Sequence, residues 1–223
     1  MVRKTKADAL ATRQQLIDAA IEQFALRGVS NTTLTDIADA AGVTRGAVYW
    51  HFNSKVEIFN EMWRQQLPLS DIIKHRMIQN EKENPLGWLR EAFVTGLQYI
   101  AQTPKQRALM QILYHKCEFN KDMMCEMEIR QRLCFRHENM QRILSLCIRQ
   151  GSLPAETNIE LTLVMLHGFF SGVLKNWLLS PESVDLYHQA PELVDYIMAT
   201  LHPHPALWPV TLDTATTFQR QGL

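Results

Sequence analysis

The stretch "VTRGAVYWHFNSK", residues 43–55, sets a tyrosine beside a tryptophan and a histidine, flanks them with two cations, and puts a glycine where a helix should begin. The pattern predicts a helix from about Arg45 to Phe52, with Thr44 as N-cap offering its hydroxyl oxygen to an orphan backbone N–H. Val48 and Phe52 stand at i and i+4 and point to a core. Gly46, Tyr49, Trp50 and Asn53 recur at i, i+3, i+4 and i+7 on the opposite face. Large aromatics opposite an apolar face that already has its core residues point to a surface outside the protein interior.

The residues just before this helix supply its partner. Thr33 with Asp36 three positions on makes a capping box in its aspartate form, and Leu34, Ile37, Ala38 and Ala41 make a buried face. "AGVT" then halts that helix at Gly42. Two short helices joined by a four-residue turn containing glycine form a helix-turn-helix, whose second helix enters the DNA major groove. An earlier helix, from about Ala7 to Arg27, carries the stripe Ile17, Ala20, Ile21 and Phe24 and ends at Gly28. A fourth starts at Ser54, with Glu57 expected to complete another capping box, and buries Ile58, Phe59, Met62 and Trp63.

Each outward residue of the third helix suits a nucleic-acid surface. Gly46 leaves the backbone bare near the helix N-terminus, where N–H groups suit phosphate. Arg45 can reach a guanine edge or a phosphate. Tyr49, Trp50 and His51 can donate to phosphate oxygens and lay rings on sugar or a thymine methyl, and Lys55 follows beside them. The basic segment Arg3, Lys4, Lys6 and Arg13, set against Asp8 alone, can add phosphate or minor-groove contacts.

Downstream everything reads as helix, with sparse glycine and proline and almost no β-branched alternation. Asn84 caps a helix with Pro85 at its first position, where the missing N–H costs nothing. Pro104 opens the next, to about Glu118. A long helix is expected from about Lys121 to Gln150, another from Thr157 to Leu179, and a last one to about Leu201 with Pro191 marking a break or a start within it. "HPHPALWP" is too rich in proline for helix. The fold class is therefore all-α: a three-helix unit over residues 1–55, and a larger helical unit over 56–223 joined to it by the fourth helix.

Bulk composition excludes more than it selects. The 223 residues carry 23 Lys+Arg against 23 Asp+Glu, so no general polybasic character exists, though local basic surface remains open. The basic N-terminus lacks the apolar stretch of a signal peptide, and "LTLVMLHGFFSGVL" from Leu161 is too short for a bilayer, so a soluble cytoplasmic protein with no membrane partner is expected. Cys117, Cys125, Cys134 and Cys147, spaced by 8, 9 and 13 residues, match no zinc or CxxC pattern and read as free thiols. No GxSxG, glycine-rich phosphate loop or HExxH is present; no enzyme, cofactor or metal is expected, since His115, Cys117 and Glu118 lack a second ligand cluster.

"TTLTDIADAAGVTRGAVYWHFNSK", residues 32–55, resembles the DNA-binding signature of the TetR family of bacterial repressors, and the preceding helix resembles the family's first. "ALMQILYHKCEF", residues 108–119, and "SGVLKNWLLSP", residues 171–181, are similar to the AcrR-type subgroup, whose members repress operons for multidrug efflux pumps. The resemblance implies an Ω-shaped homodimer on palindromic double-stranded operator DNA, a C-terminal domain that binds an inducer and dimerises, and DNA contacts from Thr33, Thr44, Arg45, Gly46, Tyr49, Trp50, His51 and Lys55. The helices beyond residue 60 are rich in methionine and aromatics, which suits a pocket for varied hydrophobic or cationic drug-like inducers. Trp63, Met110, Gln111, Tyr114 and Glu118 are the candidate ligand residues, Glu118 as partner for a cation. Gly168, Ser171 and Gly172 share a face that lets helices approach closely, and with Leu193, Ile197 and Leu201 they form the candidate dimer surface. A helical adaptor or ligand-binding protein without sequence-specific DNA binding is the alternative; absent or salt-insensitive DNA binding would mark it.

Overall fold

A computed structural model describes residues 6–78, 80–133 and 135–202, and among them every regular element is helical. The arm residues Arg3 and Lys4, Cys134 and the proline-rich tail lie outside the described residues. Helix α1 (Lys6–Arg27) buries Leu16, Ile17, Ala20, Ile21 and Phe24. It stops at Gly28, whose φ of 87° lies in the left-handed region that disfavours a side chain. α2 (Leu34–Ala40) has both halves of its capping box: Asp36 N donates to Thr33 Oγ1 at 3.1 Å and Thr33 N donates to Asp36 Oδ2 at 2.8 Å. Thr33 Oγ1 also donates to Asp36 Oδ2 at 2.7 Å, and that bond, with the one from Thr33 N, holds the Asp36 carboxyl below its ordinary pKa. Gly42, at φ 64°, makes the turn, and α3 (Arg45–His51) follows with Thr44 Oγ1 accepting from Ala47 N.

Val48 and Phe52 are fully buried, as their spacing requires. In α4 (Lys55–Arg64), Ser54 Oγ accepts from Glu57 N, but the Glu57 carboxylate bypasses Ser54. It accepts instead from Asn53 N at 2.8 Å and Asn53 Nδ2 at 3.1 Å, because Asn53 offers two donors at one place. The expected capping box is thus shifted by one residue.

Beyond α4 lie a short α5 (Leu69–Ile73) and a 3₁₀ turn (Lys74–Arg76) that the sequence pattern did not separate. α6 (Pro85–Gln102) is the central post, against which α5, α9 (His137–Arg149) and α11 (Leu186–Ala199) all pack. α7 (Pro104–Gln111) does not run on to Glu118; it widens into a π-turn over Ile112–Lys116 and then leaves the helix at Cys117. The single helix expected over residues 121–150 is two, α8 (Glu126–Leu133) and α9. Met123 and Met124 are buried before α8, and Phe135 lies between the helices with its ring edge-on to Phe93, 5.3 Å between centroids. Continuous apolar periodicity conceals such a break, because each piece keeps its own inward stripe. α10 (Ile159–Trp177) completes the set.

Pro191 neither breaks nor starts α11, which begins at Leu186 under an Asp185 cap. Proline lacks the N–H that would bond the Tyr187 carbonyl one turn back. Gln98 Nε2 of α6 donates to that carbonyl at 3.1 Å and satisfies it.

One apolar core runs through both parts. α1 packs on α2 and α4 on one side and on α7 and the π-turn on the other. Among the described residues, no helix is long and apolar enough to cross a membrane.

Candidate nucleic-acid interface and effector cavity

The face of α3 opposite Val48 is open. Tyr49 is 47% and Trp50 73% exposed, so neither ring belongs to the core. The Arg45 guanidinium lies over the Tyr49 ring, 5.5 Å from its centroid, and its NH2 donates to Tyr49 Oη at 3.2 Å. That bond raises the Arg45 pKa further and holds the guanidinium beside the ring. Trp50 meets His51 edge-on at 4.5 Å. A side chain at Gly46 would meet only Thr44 Oγ1, at 3.9 Å, so nothing inside the chain requires glycine there.

Other residues expected at DNA have internal duties. The hydroxyls of Thr33 and Thr44 are the helix caps described above. Lys55 Nζ donates to three carbonyls of the α1–α2 connection, Val29 at 2.5 Å, Thr32 at 2.7 Å and Ser30 at 3.0 Å. Burial lowers its pKa, with Asp36 opposing. The ammonium therefore staples a loop, and a phosphate would have to draw it from those oxygens. Arg13 lies over the Phe52 ring at 4.7 Å and donates to Glu61 at 3.0 Å, tying α1 to α4 rather than extending a basic arm. That bond from Arg13 keeps Glu61 below its ordinary pKa.

The second unit holds a cavity of about 800 Å³ between α6, α7, α8, α9 and α10, open to the surface beside the exposed Met127 and Val164. Of the five expected ligand residues, Met110 and Tyr114 line it; Trp63, Gln111 and Glu118 do not. Trp63 is fully buried against Phe59, and its indole N–H has no acceptor among the described residues. Glu118 borders a smaller pocket with Lys55, Phe59 and Met123. Phe93, Phe135 and Phe170 give the cavity an aromatic wall, with Phe93 stacked on Phe170 at 4.1 Å.

Polar lining residues that were not expected at a ligand include Glu126, Arg130, His167 and Ser171, the last of which was expected at the dimer surface. Arg130 donates through Nε to Glu126 Oε1 at 2.8 Å, and through NH1 to Ser171 Oγ at 3.0 Å and Tyr114 Oη at 3.4 Å. NH1 also lies 3.3 Å from His167 Nε2. Burial, then the Arg130 charge, lowers the His167 pKa and favours the neutral ring as acceptor. The one available signal was the i, i+4 spacing of Glu126 and Arg130, which reads equally well as a surface pair.

A short path joins the two sites. Tyr114 lines the cavity, and two residues on, Lys116 O accepts from Val29 N at 2.8 Å. His115 Nε2 lies 2.8 Å from the Lys175 carbonyl of α10. On α4, Asn60 Nδ2 donates to Asp122 O at 3.1 Å and Asn60 Oδ1 accepts from Met124 N at 2.7 Å. Lys105 reaches Asp18 on α1 at 2.7 Å. Cys117, Cys125 and Cys147 are free thiols; burial raises the pKa of Cys117 and of Cys147 to about 11, which keeps both protonated.

The expected dimer surface divides. A side chain at Gly168 or Gly172 would meet nothing within 4 Å, and Leu161, Val164 and Met165 of α10 with Tyr196 of α11 are exposed. Ser171, Gly168 and Val164 all line the cavity as well, and Ile197 and Leu201 are buried within the chain.

Comparison with known proteins adds two family matches, one relative and two solved structures. Residues 16–62 match the bacterial regulatory proteins of the tetR family, and residues 84–203 match the C-terminal region of MAATS-type transcriptional repressors. The "Probable acrEF/envCD operon repressor" of Escherichia coli K12 is 47% identical over 203 residues, 91% of this chain and 92% of its own. The structure of NalD, the secondary repressor of the MexAB-OprM multidrug efflux pump in Pseudomonas aeruginosa, is 30% identical with a TM-score of 0.70, covering 87% of this chain and 97% of that one. The complex of SmeT with triclosan is 26% identical with a TM-score of 0.66, covering 90% and 96%.

Proposed function

This chain belongs to the TetR family of bacterial regulatory proteins, and from that premise we propose that it represses a multidrug efflux operon, holding the operator as a homodimer and leaving it when a small molecule fills the cavity. Its family and relatives are regulators of transcription, not enzymes. The observation that carries the reading is the outward pair Tyr49 and Trp50 on a helix whose inward side is already filled. Residues 1–55 read DNA and residues 56–223 bind effector and dimerise, with α4 serving both. The work is cytoplasmic, where the operator is.

Arg45, Gly46, Tyr49, Trp50 and His51 form the reading surface. Arg45 is held by Tyr49, so less side-chain freedom is lost on docking. Thr33, Thr44 and Lys55 contribute by fixing the helices and the loop that present that surface. Two copies joined through the exposed stripe of α10 and α11 present two reading helices, which a palindromic site requires.

Release follows from how the segments beside the cavity are tied to the α1–α2 connection and to α4. An effector against Met110 and Tyr114 displaces the π-turn, and with it the Lys116 carbonyl that holds Val29. The Asn60 bonds pull α4 in the same event. A ligand that fits only the displaced state shifts the population toward it and changes the separation of the reading helices.

The test is selection of genomic DNA fragments by the purified protein at moderate salt, beside Tyr49→Ala. A palindromic site near an efflux operon, recovered by the wild type and lost in the variant, is the expected result. A folded dimer that enriches no site would refute it.

A further inference from the structure

Resting on the cavity reading, we infer that the effector is a largely apolar molecule carrying one anionic or strongly accepting oxygen, and that Arg130 is the residue that selects it. Four groups capable of hydrogen bonding converge on one part of the cavity wall. Arg130 NH1 lies within 3.0–3.4 Å of Ser171 Oγ, His167 Nε2 and Tyr114 Oη. The hydroxyl hydrogens of Ser171 and Tyr114 can rotate toward an oxygen placed among them, while the guanidinium gives a charged donor fixed in direction. Hydrogen bonds to a charged partner are about twice as strong as neutral ones, so an anionic oxygen gains most at this place.

The guanidinium is itself held in place. Glu126 accepts from Nε at 2.8 Å and from NH2 at 2.5 Å, and the Tyr114 ring lies beneath it at 4.9 Å. Arg130 therefore arrives preorganised, and little side-chain freedom is lost when a ligand binds. Apolar side chains, Phe93, Phe135, Phe170, Leu97 and Met140 among them, supply most of the remaining wall, which suits the apolar body, with Gln131, His137 and Glu160 as its other polar members. A volume of about 800 Å³ admits a molecule of several rings or a chain.

A cationic head group has no equivalent place. Of the carboxylates on the wall, Glu126 is bound to Arg130, and exposed Glu160 accepts from Gln141 and lies 3.7 Å from His137. A cation brought to the Tyr114–Ser171 site meets a fixed guanidinium of the same sign. Glu118, the carboxylate first expected to receive a cationic drug, is not in this wall.

The test uses the full-length protein and three probes with the same fluorescent body, 1-pyrenebutyrate, 1-pyrenebutanol and 1-pyrenebutylamine, followed by fluorescence polarisation. The wild type should bind the carboxylate at least about fivefold more tightly than the ammonium. Arg130→Gln should weaken the carboxylate by about fivefold or more while moving the alcohol by less than about twofold. Arg130→Lys should keep most of the preference, and Glu126→Gln should tighten the carboxylate several-fold, since it removes the competing anion. Operator binding by each variant checks its fold. Equal affinity for the three probes, a preference for the ammonium, or a uniform loss in Arg130→Gln overturns the role of Arg130 and leaves the cavity reading intact. Failure of all three probes to bind a wild type that still binds operator overturns both.

Discussion

Aromatic residues serve opposite ends in the two halves of this chain. On α3 one seven-residue helix sorts its own: Tyr49 and Trp50 stand in the open while Val48 fills the core beneath them. In the larger unit, Phe93, Phe135 and Phe170 come from α6, from the break between α8 and α9, and from α10, and together they wall an internal space. The first arrangement is set by helical period within two turns. The second exists only once distant segments meet. A DNA-reading surface can thus be written in a dozen residues, whereas a cavity is a property of how helices are spaced.

The sharpest way to break that contrast is to exchange an inward residue for an outward one. Phe52→Ala should lower stability by about 3–5 kcal/mol, because it empties a filled core position, and Trp50→Ala should stay within about 0.5 kcal/mol in the same denaturant titration. Similar losses for the two would mean that the outward face is not outward.

Lys55 tests where staple ends and interface begins. Lys55→Met should destabilise by about 1.5–3 kcal/mol, since three carbonyls lose a charged donor. Its operator affinity, measured against salt, should keep the wild-type slope; a slope smaller by about one would make Lys55 a phosphate contact instead. Arg45→Ala should do the reverse, with stability unchanged and operator affinity reduced by about 1–3 kcal/mol if it reads a base edge. A loss spread evenly over all DNA sequences would move Arg45 to the phosphates.

Two smaller effects sharpen the link between the halves. Asn60→Ala should leave effector affinity nearly unchanged and reduce the effector's influence on operator binding by about 0.5–2 kcal/mol. Unchanged coupling would leave the Val29–Lys116 bond as the path. Gly46→Ala should fold as well as the wild type, since its new methyl meets little within the chain, and should weaken the operator complex by less than about 1 kcal/mol through steric contact with DNA. Unaltered binding would place DNA farther from the start of α3.

The helix-turn-helix was legible almost residue by residue. Thr33, Asp36, Gly42 and Thr44 each announce a helix end through local hydrogen bonding or a left-handed turn, and α2 and α3 begin where those signals stand. Local signals were weaker guides farther on. Pro191 reads as a stop, yet α11 continues, because Gln98, 93 residues earlier, donates to the carbonyl that proline strands. The apolar stripe over residues 121–150 reads as one helix, yet Phe135 sits at a break and faces Phe93. Lys55 beside an aromatic DNA face reads as a phosphate contact, yet its ammonium turns to the loop after α1.

By itself, the sequence determined that the chain is helical and that α3 shows its aromatics outward, because a period of 3.6 residues assigns faces without reference to the rest of the fold. Only the tertiary structure decided which apolar residues fill the core and which line a cavity. Met110 and Trp63 are both buried, but one borders open space and the other lies against Phe59. It also decided that Arg130, Ser171 and Tyr114, separated by up to 57 residues, would share one point on the wall. Hydrophobicity is non-directional: it drives residues inward, while the distance between helix axes settles whether anything is left for a ligand to fill.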